Sequence, residues 1–141
     1  MMSTPIEAVR TAVAALNAGN VEGYLRHIDP GCMRWVAGLD QPVNLEDVSK
    51  GARHLRDAFE ALFLHEDQLF GSGQLVCARW RMSGIHVKPY MGIPSQRRQI
   101  NVQTCEIYAF KDNLVSEVWT YGDPAQLIRQ ISAATQSGDV K

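Results

Sequence analysis

The sequence has almost no net charge to offer: 14 Lys and Arg stand against 15 Asp and Glu in 141 residues. A chain so balanced presents no general attraction for nucleic acid or an anionic membrane, and neither is expected as a partner. Long apolar runs are missing too. No stretch approaches the roughly 18 residues that a membrane helix needs, and the start, MMSTPIEAVR, has no basic segment leading into an apolar signal core. A soluble, cytoplasmic protein is expected. Cys32, Cys77 and Cys105 are few, odd in number and without a CxxC pair, which fits neither a disulfide framework nor a zinc site, so reduced and mostly buried thiols are expected. His27, His54, His65 and His86 include no HxxxH or HExxH spacing. No two of them therefore share a helical face as paired metal ligands do, and neither metal nor cofactor is expected. There is no internal repeat and no low-complexity segment. What is left is enough chain for one core and too little for two. Residues 1–134 read as that single domain and residues 135–141, small and polar, as a flexible tail.

The elements follow from periodicity and punctuation. Thr4-Pro5-Ile6-Glu7 is a helix start with a capping box, and Ile6, Val9, Val13 and Leu16 form one apolar stripe. A second short helix is expected from Val21 to about Ile28, broken by Asp29-Pro30-Gly31. Cys32 to Ala37 reads as a strand with Met33, Trp35 and Ala37 on one side, followed by a polar loop to Lys50 and a third helix from about Gly51 to Phe63 with Leu55, Phe59, Leu62 and Phe63 inward. Strands are expected at 65–70 and 74–82 around Gly71-Ser72-Gly73, then a long loop over 83–98, then strands at 99–110 and 114–121. Asp123, before Pro124, caps a last helix whose apolar side is Leu127, Ile128 and Ile131. Helices first and hairpin-linked strands after them predict an α+β fold, a curved antiparallel sheet with helices enclosing an apolar pocket.

Within Gln99–Phe110 one residue is out of place. Alternation puts Ile100, Val102, Thr104, Glu106, Tyr108 and Phe110 on one face. That face is the more apolar, so it points inward and takes Glu106 with it. Burial disfavours an ionised carboxylate and raises its pKa, which would make Glu106 a proton donor or acceptor near neutral pH. Thr104, Tyr108, Ser116 and Thr120 are placed to hydrogen-bond it. The other reading is an ion pair with Arg34 or His54, and composition alone does not choose between them. Tyr24, Trp35, Phe59, Trp80 and Tyr108 form either a cavity wall or plain core. The opposite face, with Cys77, Arg79, Arg81, Cys105, Ile107, Val115, Glu117, Trp119 and Tyr121, is too apolar for solvent and suggests a dimer interface. His86 and Lys88 fall on the long loop and read as solvated.

Four stretches, in order, carry a resemblance: Ala15-Leu16-Asn17-Ala18-Gly19-Asn20; Cys77-Ala78-Arg79-Trp80 with Ser83-Gly84-Ile85-His86; Met91-Gly92-Ile93-Pro94; and Phe110-Lys111-Asp112-Asn113-Leu114-Val115-Ser116-Glu117-Val118-Trp119. Together they resemble the SnoaL-like polyketide cyclases of the nuclear-transport-factor-2-like superfamily, whose fold is a cone. The resemblance implies a homodimer and cofactor-independent proton transfer, typically an aldol-type ring closure of a polyketide-like small molecule. In the family the last stretch resembles RFxDGKIVEHWD, with an acid/base aspartate just after the tryptophan and a histidine two residues earlier; those places hold Thr120 and Val118 here. A glutamine and a histidine on the preceding strand correspond to Thr104 and Glu106, so the carboxylate is displaced by one strand. A three-residue turn ending in Asn113 would pair Glu106 with Val118 and Thr104 with Thr120. Glu106 is accordingly the candidate catalytic residue, and Tyr24, Met33, Trp35, Phe59, Trp80, Met82, Thr104, Tyr108, Val118 and Thr120 the candidate substrate-binding residues. The expected activity is cyclisation, aldol-type or directed by shape. An isomerase, hydrolase or hydroxylase on the same fold, or a non-catalytic binding and dimerisation module, are the alternatives.

Overall fold

A computed structural model describes residues 3–132. The expected tail at 135–141 lies outside the described residues. In chain order the elements are α1 (Pro5–Asn17), α2 (Val21–Leu25), β1 (Ile28–Val36), β2 (Val43–Asn44), α3 (Leu45–Ala58), β3 (Phe59–Ser72), β4 (Leu75–His86), β5 (Gln99–Lys111), β6 (Leu114–Gly122) and α4 (Pro124–Ser132). The six strands form one curved, unclosed sheet in the order β2-β1-β6-β5-β4-β3. All neighbours are antiparallel except β1 and β6, which run parallel, so the sheet is mixed where only antiparallel pairing was expected.

α1 starts as its sequence directs: Thr4 accepts from the Glu7 amide while the Glu7 side chain accepts from Thr4 N. Its stripe puts Val9 and Val13 against Val76, Trp80, Tyr108 and Val118 of the sheet, forming the main core. Each such aliphatic side chain contributes about 1.5–3 kcal/mol by leaving water. At the far end of α1 the Asn17 side chain donates to Leu64 O (3.0 Å) and accepts from Leu64 N (2.8 Å), pinning the helix to β3.

α3 differs from its expected bounds at both ends. Asn44 caps it by accepting from Asp47 N, so the helix begins inside the segment read as loop and ends at Ala58. Phe59 is already extended and pairs with His86. The spacing Leu55–Phe59–Leu62–Phe63 suits a helix, but Ala61 at φ 54° and the irregularity between Glu60 and Phe63 mark a bulged strand instead. β4 likewise runs on through Ser83-Gly84-Ile85-His86, four residues assigned to a loop from their glycine and polarity. β1 starts at Ile28 and passes through Asp29-Pro30-Gly31; its ladder with β6 is interrupted between Ile28 and Met33, where the proline has no N–H to give and Asp29 accepts from Gly31 N (2.7 Å).

The β5–β6 hairpin closes in two residues rather than three. Asp112 (φ 53°) and Asn113 (φ 68°) both take left-handed conformations, and Lys111 pairs with Leu114. A bulge between the Ala109 and Phe110 pairs then adds one residue to β6. The result pairs Glu106 with Thr120, Tyr108 with Val118 and Thr104 with Gly122, two residues away from the expected register. Because the displacement is even, every β5 side chain keeps its expected face. β6 does not come through so cleanly, since the bulge turns Val115, expected outside, into the core. Beyond the end of β6 the open edge of β5 is covered by α4: Gln126 accepts from Gln103 N (3.0 Å), and Gln130 accepts from Asn101 N (2.7 Å) and donates to Asn101 O (2.9 Å). Two side-chain amides thereby replace a missing strand. α4 also supplies Ile131 to a second core cluster with Ala58, Phe59 and Ile100.

Candidate active site

Glu106 points inward, as alternation requires, and meets Arg34 there. Arg34 Nη1 donates to Glu106 Oε2 in an ion pair and to Thr120 Oγ1 at 2.7 Å, while Nη2 donates to the Tyr24 hydroxyl at 3.3 Å. Thr120 donates on to Glu106 Oε2 at 3.1 Å. The other carboxylate oxygen accepts from the Tyr108 hydroxyl, which in turn accepts from Trp80 Nε1 at 2.9 Å. Six side chains from α2, β1, β4, β5 and β6 thus form one polar network. The side chains of Arg34 and Glu106 are 15% and 16% exposed, so little solvent screens the pair.

The electrostatics reverse one expectation. Burial pushes the Glu106 carboxyl up, as anticipated, but the Arg34 charge and the hydrogen bonds from Tyr108, Arg34 and Thr120 together outweigh it, and the carboxyl sits below its ordinary value. Burial pulls the Arg34 guanidinium down and the Glu106 charge more than restores it. The Tyr108 phenol is pushed well up, by burial first and then by the carboxylate it faces; burial also raises Tyr24. Glu106 is therefore an ionised carboxylate held by three donors, not a buried acid. Of the two ion-pair partners considered, His54 is engaged elsewhere, stacked on Tyr90 with ring centroids 5.2 Å apart.

Of the candidate lining residues, Tyr24, Trp80, Tyr108 and Thr120 join Glu106 in the network, and Val118 is buried beside them. Met33 and Trp35 do not. β1 turns Cys32 and Arg34 inward, leaving Met33 and Trp35 each 39% exposed on the outer face, where Trp35 Nε1 donates to Glu117 (2.9 Å). The apolar-side-in rule misreads β1 because Arg34 is buried by its ion pair. Phe59 and Met82 belong to the second core cluster, and Thr104 sits at the sheet end with its hydroxyl donating to Tyr121 O (3.4 Å). His86, expected on a solvated loop, is completely buried, stacked on Phe59 at 5.0 Å, with neither ring nitrogen hydrogen-bonded. Sequence reading placed Arg34 only as one of two possible partners; the alternation Cys32–Arg34–Val36 was the signal that it shares a face.

The interior is nearly full. The void among Val13, Tyr24, Tyr108 and Val118 holds about 10 Å³, and a second recess by Leu16, Leu55, Leu62 and Met82 about 60 Å³. The first is about the room of one water and both are far below the several hundred Å³ of a ligand pocket. Of the expected aromatic wall, Phe59, Trp80 and Tyr108 are buried core and Tyr24 packs against it, while Trp35 lies on the outer face.

Comparison with known proteins places this architecture. The SnoaL-like polyketide cyclase family model matches residues 6–131. The chain belongs to that family. No curated protein matches the sequence. Among solved structures, AclR from Streptomyces galilaeus, provisionally described as a hydroxylase, superposes with a TM-score of 0.85 at 21% identity over 95% of this chain and 99% of that one. IdmH from Streptomyces antibioticus, provisionally described as a polyketide cyclase, gives 0.80 at 20% identity over 91% and 98%, and TsrD from Streptomyces laurentii 0.78 at 24% over 95% and 100%. At such identities the likeness is one of fold. Among the described residues no helix of this SnoaL-like protein is long and apolar enough to cross a membrane.

Proposed function

We propose that this SnoaL-like protein is a cofactor-independent cyclase of polyketide-type natural-product biosynthesis, closing a ring against the inward face that carries Glu106. The observation supporting this is the buried Arg34–Glu106 pair ringed by the hydroxyls of Tyr24, Tyr108 and Thr120. On this reading the ionised Glu106 accepts a proton from a substrate carbon or hydroxyl. Arg34 and Tyr24 donate to the carbonyl oxygen on which charge develops. A substrate with rings needs far more than 10 Å³, so it enters by displacing the side chains over the network, those of the five-residue α2 first. Confinement near the reactive geometry then contributes, on the order of 7 kcal/mol where orientation is good.

A second reading has its own support. The saturated carboxylate and the filled interior suit a non-catalytic module that binds through its outer face. One experiment separates the two: wild type and Glu106→Gln are incubated with a panel of linear poly-β-ketone esters and cyclised product is followed by mass spectrometry. The cyclase reading expects turnover that falls by about 100-fold or more in the variant, with the circular dichroism unchanged. Undiminished turnover in Glu106→Gln rejects that residue, and no turnover by wild type with the whole panel favours the module.

The homodimer belongs to both readings. Phe70, Cys77, Ile107, Trp119 and Trp35 are successive register partners across β3, β4, β5, β6 and β1, an apolar row spanning the outer face. We assign the second copy to this row, because an apolar band of this extent on a sheet otherwise meets water. Ile107→Asp should give a monomer by sedimentation, and a monomeric wild type would reject the assignment.

A further inference from the structure

The hydroxyl protons around Glu106 all run toward it, and two residues that can only donate set that direction. An indole N–H and a guanidinium offer no lone pair, so a hydroxyl that meets either one accepts from it and sends its own proton elsewhere. Thr120 accepts from Arg34 Nη1 and donates to Glu106 Oε2. Tyr108 accepts from Trp80 Nε1 at 2.9 Å and donates to Glu106 Oε1. Arg34 also pairs with the carboxylate directly, whereas the Trp80 N–H is bonded to the phenol alone.

β4 places the indole for this task. Its inward residues Val76, Ala78 and Trp80 pair in register with Tyr108, Glu106 and Thr104. Trp80 and Tyr108 therefore meet across the position opposite Glu106, which holds an alanine with no exposed surface. That short side chain leaves the lane along which the indole reaches the phenol. Trp80 and Tyr108 are themselves only 2% and 6% exposed, so little water competes for the bond between them.

We propose that Trp80 is a positioning residue for Glu106: its N–H, acting through the Tyr108 hydroxyl, aims the phenolic proton at Oε1 and strengthens the bond that holds the carboxylate in place. The physical basis is cooperativity. A hydroxyl that accepts a hydrogen bond becomes a stronger donor, by about 10–30% per bond in condensed-phase estimates. Burial and the Glu106 charge raise the Tyr108 phenol, and the Trp80 N–H works against both, which makes the phenol the better donor to the carboxylate. The use of Glu106 in turnover rests on the cyclase reading. Its placement by Trp80 does not, since none of these bonds needs a substrate.

The test is a pH titration of the Glu106 carboxyl carbon by NMR in the full-length protein without substrate, the signal being assigned by its loss in Glu106→Gln. Trp80→Phe deletes the N–H and keeps an aromatic ring, and the Glu106 midpoint should rise by about 0.3 pH units because the ionised form loses support. Tyr108→Phe should raise it further, and adding Trp80→Phe to Tyr108→Phe should raise it no more. An unchanged midpoint in Trp80→Phe overturns the proposal. So does an equal rise in the Tyr108→Phe background, which would trace the effect to lost packing. Circular dichroism checks each variant. Should Trp80→Phe not fold, the Trp80 indole nitrogen signal is followed instead: it should move with the Glu106 titration in wild type and stay still in Tyr108→Phe, and an indole signal indifferent to that titration in wild type overturns the proposal as well. The titration answers for Trp80 whether or not the wild type cyclises the poly-β-ketone esters, so a failure here and a failure of the cyclase reading are told apart.

Discussion

Replacing Arg34 by methionine removes the charge opposite Glu106 and keeps most of the side-chain length. Glu106 then retains only the Tyr108 and Thr120 hydrogen bonds against its burial, which is the largest influence on it. Truncating one side of a buried ion pair costs about 3–5 kcal/mol because the remaining charge is left uncompensated. With hydroxyl donors still in place the low end applies, about 3 kcal/mol, equivalent to a fall in Tm of roughly 10 °C for a chain of this size. Glu106→Gln should cost a similar amount by stranding Arg34. The double variant removes both charges and should cost far less than the two singles together, a coupling of about 2 kcal/mol or more. The pH dependence sharpens this. In wild type the Glu106 pKa is depressed on folding, so its contribution is present above the unfolded carboxylate value, about 4.3, and is lost as pH falls through the folded value. In Arg34→Met the unopposed burial raises the folded pKa above the unfolded one. The variant's deficit is then fullest at neutral pH and shrinks as pH falls. Urea unfolding at pH 7 and near pH 4.5 measures both, and the gap between wild type and variant should narrow on acidification. A gap that stays constant, or singles that add to within about 0.5 kcal/mol, would refute the buried pair.

Three further variants probe the frame around the site. His86→Phe keeps the stack on Phe59 and removes two buried nitrogens that have no hydrogen bond; the urea midpoint should hold or rise, by about 1 kcal/mol at most, and a loss above about 2 kcal/mol would mean that the imidazole serves a partner. Gln126→Ala with Gln130→Ala uncovers the edge of β5, so amide exchange at Asn101 and Gln103 should quicken at a cost of about 1 kcal/mol, and unchanged protection of both amides would reject the surrogate-strand role. Asn17→Ala deletes both bonds to Leu64 and should cost about 1–3 kcal/mol by urea titration, while a loss under about 0.5 kcal/mol would show that α1 is held by packing alone.

How far the sequence was legible depended on whether the deciding force was local. The cap of α1, the face of β5 and the inward Glu106 follow from period and neighbouring residues, and all three are as expected. The β5–β6 register was not legible, because Asp112 joins Asn113 at positive φ and shortens the turn to two residues, and the bulge that follows has no residue type of its own. The end of α3 was hidden for a related reason: the stripe Leu55–Phe59–Leu62–Phe63 satisfies a helix, yet pairing with β4 captures Phe59 as strand. His86 was read as solvated from its place on the expected loop over 83–98, when β4 runs on to include it and carries it into the interior against Phe59.

β1 is the case where local reasoning gave the opposite face, and its cause bears on function. Its inward side carries Arg34 and its outward side Met33 and Trp35, so hydropathy alone reads the strand inside out. The inward guanidinium is explained by a carboxylate 72 positions away in sequence, a partner that no local window contains. The exposed outward pair has no comparable explanation within one chain. Trp35 lies beside Trp119, and the row continues through Ile107 and Cys77 to Phe70. A strand more apolar on its outer side than on its inner one is what a sheet covered by a second sheet would show, and this supports the proposed sheet-to-sheet homodimer independently of any family habit.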